Sequence, residues 1–273
     1  MNDEILRLWS AQNVSYADNI IDELGNSMWV TAKVLERIDW NDKLFSLKLT
    51  PGITDFTAGQ FIKLSRVRDD KRIARAYSLV NPPGKDYCEV LAVAVEGGEL
   101  SPHLRAMAVG DEIDITASAA GFMTLQEVPA GFKHLWLLST GTAVGPFISM
   151  MLTDEPWHKF EKLVLVYGVR QVQDLAYLTQ LRALEQRYPQ QFKLVISVTR
   201  ESYAGGLNCR IPEGLSSGAI EAAAGVSLNA EDSQVMLCGN PEMVADANNY
   251  LLSRGLTKNL RRVPGNITLE KYW

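Results

Sequence analysis

The chain has 273 residues, 47% of them hydrophobic and 22% charged, with a formal net charge of -5. These figures describe a folded chain with room for one or two domains, and they argue against a disordered protein or a basic nucleic-acid binder. No run of about 18 apolar residues occurs, and Asp3 and Glu4 stand where a secretory signal carries positive charge, so no membrane span is expected and the cytoplasm is the expected location.

Cys88, Cys209 and Cys238 form no C-x-x-C pair, and His103, His134 and His158 lie far apart without ligand spacing. No metal, iron-sulfur cluster or disulfide framework is expected from them. The acidity is uneven, with a net -4 in residues 1–28 and -1 in the remainder. Against that near-neutral body, Arg66, Arg68, Lys71, Arg72 and Arg75 form a basic cluster broken by Asp69 and Asp70. A second cluster is Lys258, Arg261, Arg262 and Lys271. Such runs are usually solvated faces; the functional alternative is a docking rim for an acidic partner.

In chain order, residues 1–28 read as an appendage with a short amphipathic helix carrying Ile5, Leu8 and Trp9. From Trp29 the pattern has period two, which predicts strands over 29–35, 44–49, 61–64, 77–80, 88–95 and 112–116, many separated by turn signals such as Pro82-Pro83-Gly84. Six short strands predict a closed antiparallel barrel over 29–130, interrupted by a helix over 101–107 with Ser101 as its N-cap. From His134 the rhythm becomes strand, loop, helix: strands over 134–138, 163–167, 192–199 and 235–238, and helices over 146–152, 174–187 and 242–252. That alternation predicts an α/β domain with a parallel sheet over 131–273, divided from the barrel near Pro129-Ala130-Gly131.

Arg75-Ala76-Tyr77-Ser78 reads as a flavin cradle. Arg75 offers a fork of donors for a pyrophosphate, Tyr77 a face for a ring, and Ser78 a hydroxyl for a ring nitrogen. Thr140, Gly141, Thr142 and Gly145 sit between a predicted strand and helix, where backbone amides can receive a phosphate. Arg170, Arg200 and Arg210 follow at or beyond the ends of successive strands, so their guanidiniums can converge on one anion, and a nucleotide with a 2'-phosphate suits them. Cys238-Gly239 closes the last strong strand at the same sheet edge. The thiol there can pack on a nicotinamide, or serve as an ordinary buried apolar group.

Together, Arg75-Ala-Tyr-Ser78, Gly98-Glu-Leu-Ser-Pro102, Ala120-Gly121-Phe122, Gly141-Thr-Ala-Val-Gly-Pro146, Asp174-Leu-Ala-Tyr177, Thr199-Arg200-Glu201, Arg210-Ile-Pro212, Cys238-Gly-Asn-Pro241 and Tyr272-Trp273 resemble the bacterial ferredoxin/flavodoxin-NADP reductases. The resemblance implies an antiparallel FAD-binding barrel followed by an NADP-binding α/β domain. It implies FAD contacts from Arg75, Ala76, Tyr77, Ser78, Glu99, Leu100, Ser101 and Thr142, with Tyr272 and Trp273 at the tail and Trp273 over the flavin face. For NADP it implies Thr140, Gly141, Thr142, Arg170, Thr199, Arg200, Arg210, Cys238 and Gly239. Ser78, Cys238 and Trp273 would surround the point of transfer, with Glu270 beside them. The implied partner is an acidic carrier, ferredoxin or flavodoxin, and a monomer is expected.

Two features depart from that pattern. Cys209 stands where the resemblance has a glycine before Arg210, so an altered turn is expected. Residues 1–28 have no counterpart in it, and Met28 stands almost where the family's chains begin, which makes a start at Met28 an alternative. The same scaffold also accommodates a free-flavin or quinone reductase or the reductase component of an oxygenase, and a flavin-free binding module is the reading from another class.

Overall fold

The computed structural model describes residues 28–260 and 262–272. The proposed N-terminal helix and Trp273 lie outside the described residues. The first half is an antiparallel sheet of β1 (Trp29–Asp39), β2 (Leu44–Thr50), β3 (Phe61–Arg68), β4 (Lys71–Ser78), β5 (Cys88–Val93) and β6 (Glu112–Thr116), in the order β4-β3-β6-β1-β2-β5. The sheet closes on itself just past β4, where Leu79 bridges Val90 and the Val80 amide donates to the Glu89 carbonyl at 2.8 Å.

The fourth strand begins six residues before its predicted start. Alternation is masked there by charged side chains: Arg72 donates to Asp114 Oδ2 at 2.8 Å and lies 4.5 Å over the Trp29 ring. Asp69 and Asp70, both with left-handed φ (50° and 56°), form the two-residue turn that joins β3 to β4 in the register Arg68↔Lys71. The short helix after β5 spans Ser101–Ala106, but Leu100 is its N-cap; Ser101 instead accepts the Val95 amide on its hydroxyl.

The second half is a parallel sheet in the order β11-β10-β7-β8-β9, built from β7 (His134–Thr140), β8 (Lys162–Val169), β9 (Phe192–Val198), β10 (Ser233–Gly239) and β11 (Ile267–Lys271). Alternate residues fill a core on each face: Leu135, Leu137 and Leu165 on one, Trp136, Leu138 and Val166 on the other. Strands buried on both faces read as continuous apolar runs, which is why β7, β8, β9 and β10 were legible. β11 was not predicted. Neither were the helices Ile211–Ser216 and Ala219–Ala224, each too short to establish a period of 3.6.

The barrel and the α/β domain share one core. In β2, Phe45, Leu47 and Leu49 point into the barrel while Leu44 packs with Phe147, Leu165 and Tyr177 of the other domain. β5 divides the same way, with Val90 inward and Leu91 outward. The Ser149 hydroxyl adds a buried bond to the Asn81 carbonyl at 2.7 Å across this boundary.

Candidate functional site

The chain reverses direction across the parallel sheet between β7 and β10: β8 and β9 extend to one side of β7, β10 and β11 to the other. A crevice opens at the carboxyl ends of strands at such a switch point. Here it is a cleft of about 720 Å³, with Thr140, Gly141 and Thr142 at its centre and Arg170, Thr199, Arg200 and Arg210 on one wall. The three predicted arginines therefore do meet. Their loops are tied together: Arg200 donates its amide to the Arg170 carbonyl at 2.9 Å, and Val172 donates to Glu201 Oε1 at 2.6 Å. All three arginines are exposed; Arg210 lies 4.0 Å from Glu242, and Arg170 and Arg200 form no ion pair among the described residues, although Asp42, Asp174 and Asp246 also line the cleft. Exposed guanidiniums grouped on one wall suit an anionic ligand.

Gly239 ends β10 at φ +142°, with the Thr140 hydroxyl against the place a Cβ would occupy. That hydroxyl also accepts the Asn240 amide at 2.9 Å, so Thr140 and Gly239 fix the two central strands to each other. A Cβ at Gly145 would lie 3.3 Å from Val80 Cγ2, so its missing side chain admits the barrel wall. Cys209 accommodates its side chain without backbone strain, being absent from the residues with positive φ among those described, and its carbonyl accepts the Ser197 hydroxyl.

The flavin-cradle residues lie along β4, whose outer edge has no strand partner among the described residues. Arg75 and Tyr77 are two apart and share a face. Arg75 pairs with Glu99 Oε2 at 2.8 Å, which brings together two residues 24 positions apart in sequence. Burial pushes the Tyr77 phenol up to about 12, so its ring is a neutral platform. Leu100 is buried in the barrel core, which leaves only its backbone for any ligand. An unpaired strand edge bearing a guanidinium and a ring face fits an extended cofactor carrying phosphates.

Where the end of β4 approaches the end of β10 lies a cluster of buried and half-buried groups. Cys238 is opposite Glu270 in the β10–β11 register, Tyr272 donates its amide to the Gly239 carbonyl at 2.9 Å, and the Tyr272 phenol lies beside Ser78. Burial pushes the Cys238 thiol well up, so it is a neutral packing surface and not a nucleophile. Burial also raises Glu270 to about 7. Ser78, Cys238, Glu270 and Tyr272 thus meet from two domains.

Several cleft residues were not read from the sequence: Asn41, Asp42 and Lys43, which come from the β1–β2 turn of the barrel, and Met243 and Asp246 of the helix Pro241–Ser253. No local signal marks the first three, because only the docking of the two domains brings that turn to the cleft.

Comparisons with known proteins agree with this geometry. Residues 30–123 match the oxidoreductase FAD-binding domain family, and residues 137–249 match the oxidoreductase NAD-binding domain family. The flavodoxin/ferredoxin-NADP reductase of Shigella flexneri is 46% identical over 246 residues, covering 90% of this chain and 99% of the relative. The Escherichia coli K12 protein of the same name is 45% identical over the same shares. A crystal structure of a Neisseria gonorrhoeae ferredoxin NADP+ reductase with bound FAD and NADP superposes with a TM-score of 0.86 at 32% identity, covering 91% of this chain and all of that one. The FAD/NAD-binding domain of a Vibrio cholerae nitric oxide dioxygenase shares the fold alone, with a TM-score of 0.72 at 19% identity over 89% and 98% of the two chains. With its switch-point cleft, its open barrel edge and relatives matched across nearly their whole length, the chain belongs to the flavodoxin/ferredoxin-NADP reductase family.

Proposed function

We propose that the protein is an FAD-dependent reductase that takes electrons from NADPH and passes them singly to a small acidic carrier, ferredoxin or flavodoxin. The observation that supports this most is the cluster of Ser78 from the barrel with Cys238, Glu270 and Tyr272 from the α/β domain, which brings the end of the proposed cradle to the end of β10. When bound, FAD supplies a two-electron acceptor that can release electrons one at a time. The chain's own residues bind, orient and exclude water.

In this reading Arg75 holds the FAD pyrophosphate, Ala76 lies along the flavin, Tyr77 stacks on the ring and Ser78 faces its reactive nitrogen. Glu99, Leu100 and Ser101 line the ribityl and phosphate region, and Thr142 approaches from the other domain. Tyr272 and Trp273 cover the flavin. Arg200 and Arg210 hold the 2'-phosphate of NADP, Arg170, Thr199, Thr140 and Gly141 flank the rest of it, and Cys238 with Gly239 receives the nicotinamide. The barrel domain extends to about residue 130, and the protein acts as a cytoplasmic monomer. An acidic carrier of either kind docks on a basic rim.

Purified protein reconstituted with FAD should show a flavin absorption spectrum, and anaerobic NADPH should bleach it at far lower concentration than NADH. Protein that stays colourless after reconstitution, or that NADPH fails to bleach, overturns the reading.

A further inference from the structure

The boundary between the two domains carries a polar device set into apolar packing. Trp40 Nε1 donates to Ser46 Oγ at 2.9 Å, Ser46 Oγ lies 2.6 Å from the Tyr177 hydroxyl, and Tyr177 donates to Glu89 Oε1 at 2.8 Å. Tyr177 has one proton and gives it to the carboxylate, so the proton of the central bond comes from Ser46, which is itself an acceptor for Trp40. The chain therefore runs in one direction and ends on Glu89 Oε1, the arrangement in which each bond polarises the next. Ser46 is 1%, Tyr177 7% and Glu89 8% exposed. Trp40, Ser46 and Glu89 belong to the barrel and Tyr177 to the α/β domain. The Tyr177 ring is also tilted against Trp40, with centroids 4.7 Å apart. Tyr177 adopts φ 58°, a left-handed conformation that a bulky residue seldom takes unless its surroundings impose it.

We propose that Tyr177 is a positioning residue for hydride transfer, its hydroxyl latching the α/β domain to the barrel and thereby setting the separation between the flavin cradle and the arginine wall of the cleft. This inference rests on the reductase reading above. Short hydrogen-bonded steps lead from the latch to both ends of the chemistry. On the barrel side, Glu89 accepts the Val80 amide at 2.8 Å and donates its own to Asn81 Oδ1 at 2.7 Å, two and three residues after Ser78. On the other side, three residues before Tyr177, Asp174 accepts the Gln171 amide at 3.1 Å, next to Arg170. Asn41 at the tip of the barrel hairpin reinforces the tie, donating to Asp174 Oδ1 at 3.0 Å and to the Gln173 carbonyl at 3.1 Å. Apolar contacts such as Leu44 and Leu91 against the second domain hold the two bodies together but are not directional; hydrogen bonds of fixed length and angle set their register. Register matters because a misplacement of about 1 Å at reacting atoms slows a reaction by up to about a hundredfold.

The test uses the full FAD-loaded chain and the variant Tyr177→Phe, which keeps the ring and removes the hydroxyl. We expect unchanged flavin content and a roughly tenfold lower stopped-flow rate of flavin reduction at saturating NADPH. Affinity for 2'-phospho-AMP, a probe that needs only the arginine wall, should stay within about twofold, while amide hydrogen exchange over residues 40–46 accelerates. Ser46→Ala should give a similar defect, and the double variant should be no worse than Tyr177→Phe, because both break one chain. Glu89→Gln, whose amide oxygen still accepts, should largely preserve the rate. A saturated rate within about twofold of wild type in both Tyr177→Phe and Ser46→Ala, whatever their stability, overturns the latch and leaves Tyr177 a packing residue. Wild-type protein that binds FAD but is not reduced by NADPH overturns the reductase reading instead; hydrogen exchange then decides, and unchanged exchange in Tyr177→Phe overturns the latch independently.

Discussion

In the proposed reading, Arg200 sets the preference for NADPH over NADH. Its exposed guanidinium faces the cleft without a carboxylate partner among the described residues, so it is available to a phosphate. One charge-assisted contact is worth roughly 1.5–3 kcal/mol, so Arg200→Ala should weaken NADPH binding by about one to two orders of magnitude and leave NADH nearly unchanged. Parallel titrations with the two nucleotides check this, and equal losses count against the assignment. Glu270 carries a second prediction. Burial raises its carboxyl from the usual range to about 7, so the folded chain holds a proton that the unfolded chain releases near 4.5. Stability of the nucleotide-free protein should therefore fall as pH rises from about 5 through 7 and level off above. Thermal unfolding across that range should show the slope in wild type and a flatter profile in Glu270→Gln. Both residues were visible in the sequence, but the Glu270 environment was not, since it depends on Cys238 and Tyr272 lying beside it.

At the scale of an element, the β3–β4 hairpin accounts for the largest misreading of strand limits. A search for apolar alternation starts β4 at Tyr77, whereas the strand begins at Lys71 because its first residues are held by the Arg72 bond to Asp114 and the arginine's stacking on Trp29. The turn at Asp69-Asp70 places two like charges side by side in left-handed backbone. An L residue in that conformation costs about 1–2 kcal/mol relative to glycine, less for Asp. Asp70→Gly should stabilise the protein by roughly 0.5–1 kcal/mol, observable as a rise in unfolding midpoint, with no effect on nucleotide affinity. A fall in the midpoint would mean that the aspartate side chain stabilises the turn more than its backbone strains it.

At the scale of the whole molecule, the two basic clusters separate into different kinds. In the first, Arg68 pairs with Asp69, Arg72 with Asp114 and Arg75 with Glu99, which leaves Arg66 and Lys71 outside any ion pair among the described residues. In the second, Lys258, Arg262 and Lys271 are exposed and form no ion pair among the described residues. The docking rim of the proposed carrier is therefore better placed at the second cluster, on the β11 side that leads to Tyr272. Lys258→Glu with Arg262→Glu should raise KM for ferredoxin or flavodoxin several-fold at low ionic strength, with the difference shrinking as salt screens it. The rate of flavin reduction by NADPH should stay unchanged, and a salt-independent effect would argue against electrostatic docking.

The sequence by itself determined the two-part architecture. Period-two strands and then strand-helix alternation are local consequences of which faces each element buries, and β7 to β10, apolar on both faces, read as strands of a sheet covered on both sides. It also placed the three arginines on one cleft, because a guanidinium at a strand end in an open parallel sheet faces the crevice there, while the cradle remains part of the proposal. Tertiary structure alone decided what crosses between the domains. Asn41 and Lys43 reach the cleft, Glu99 meets Arg75, and Ser46, Glu89 and Tyr177 join in one buried chain across up to 131 sequence positions. Such pairings leave no periodic trace, because a buried polar residue on an otherwise apolar strand face is explained only by the partner that docking brings to it.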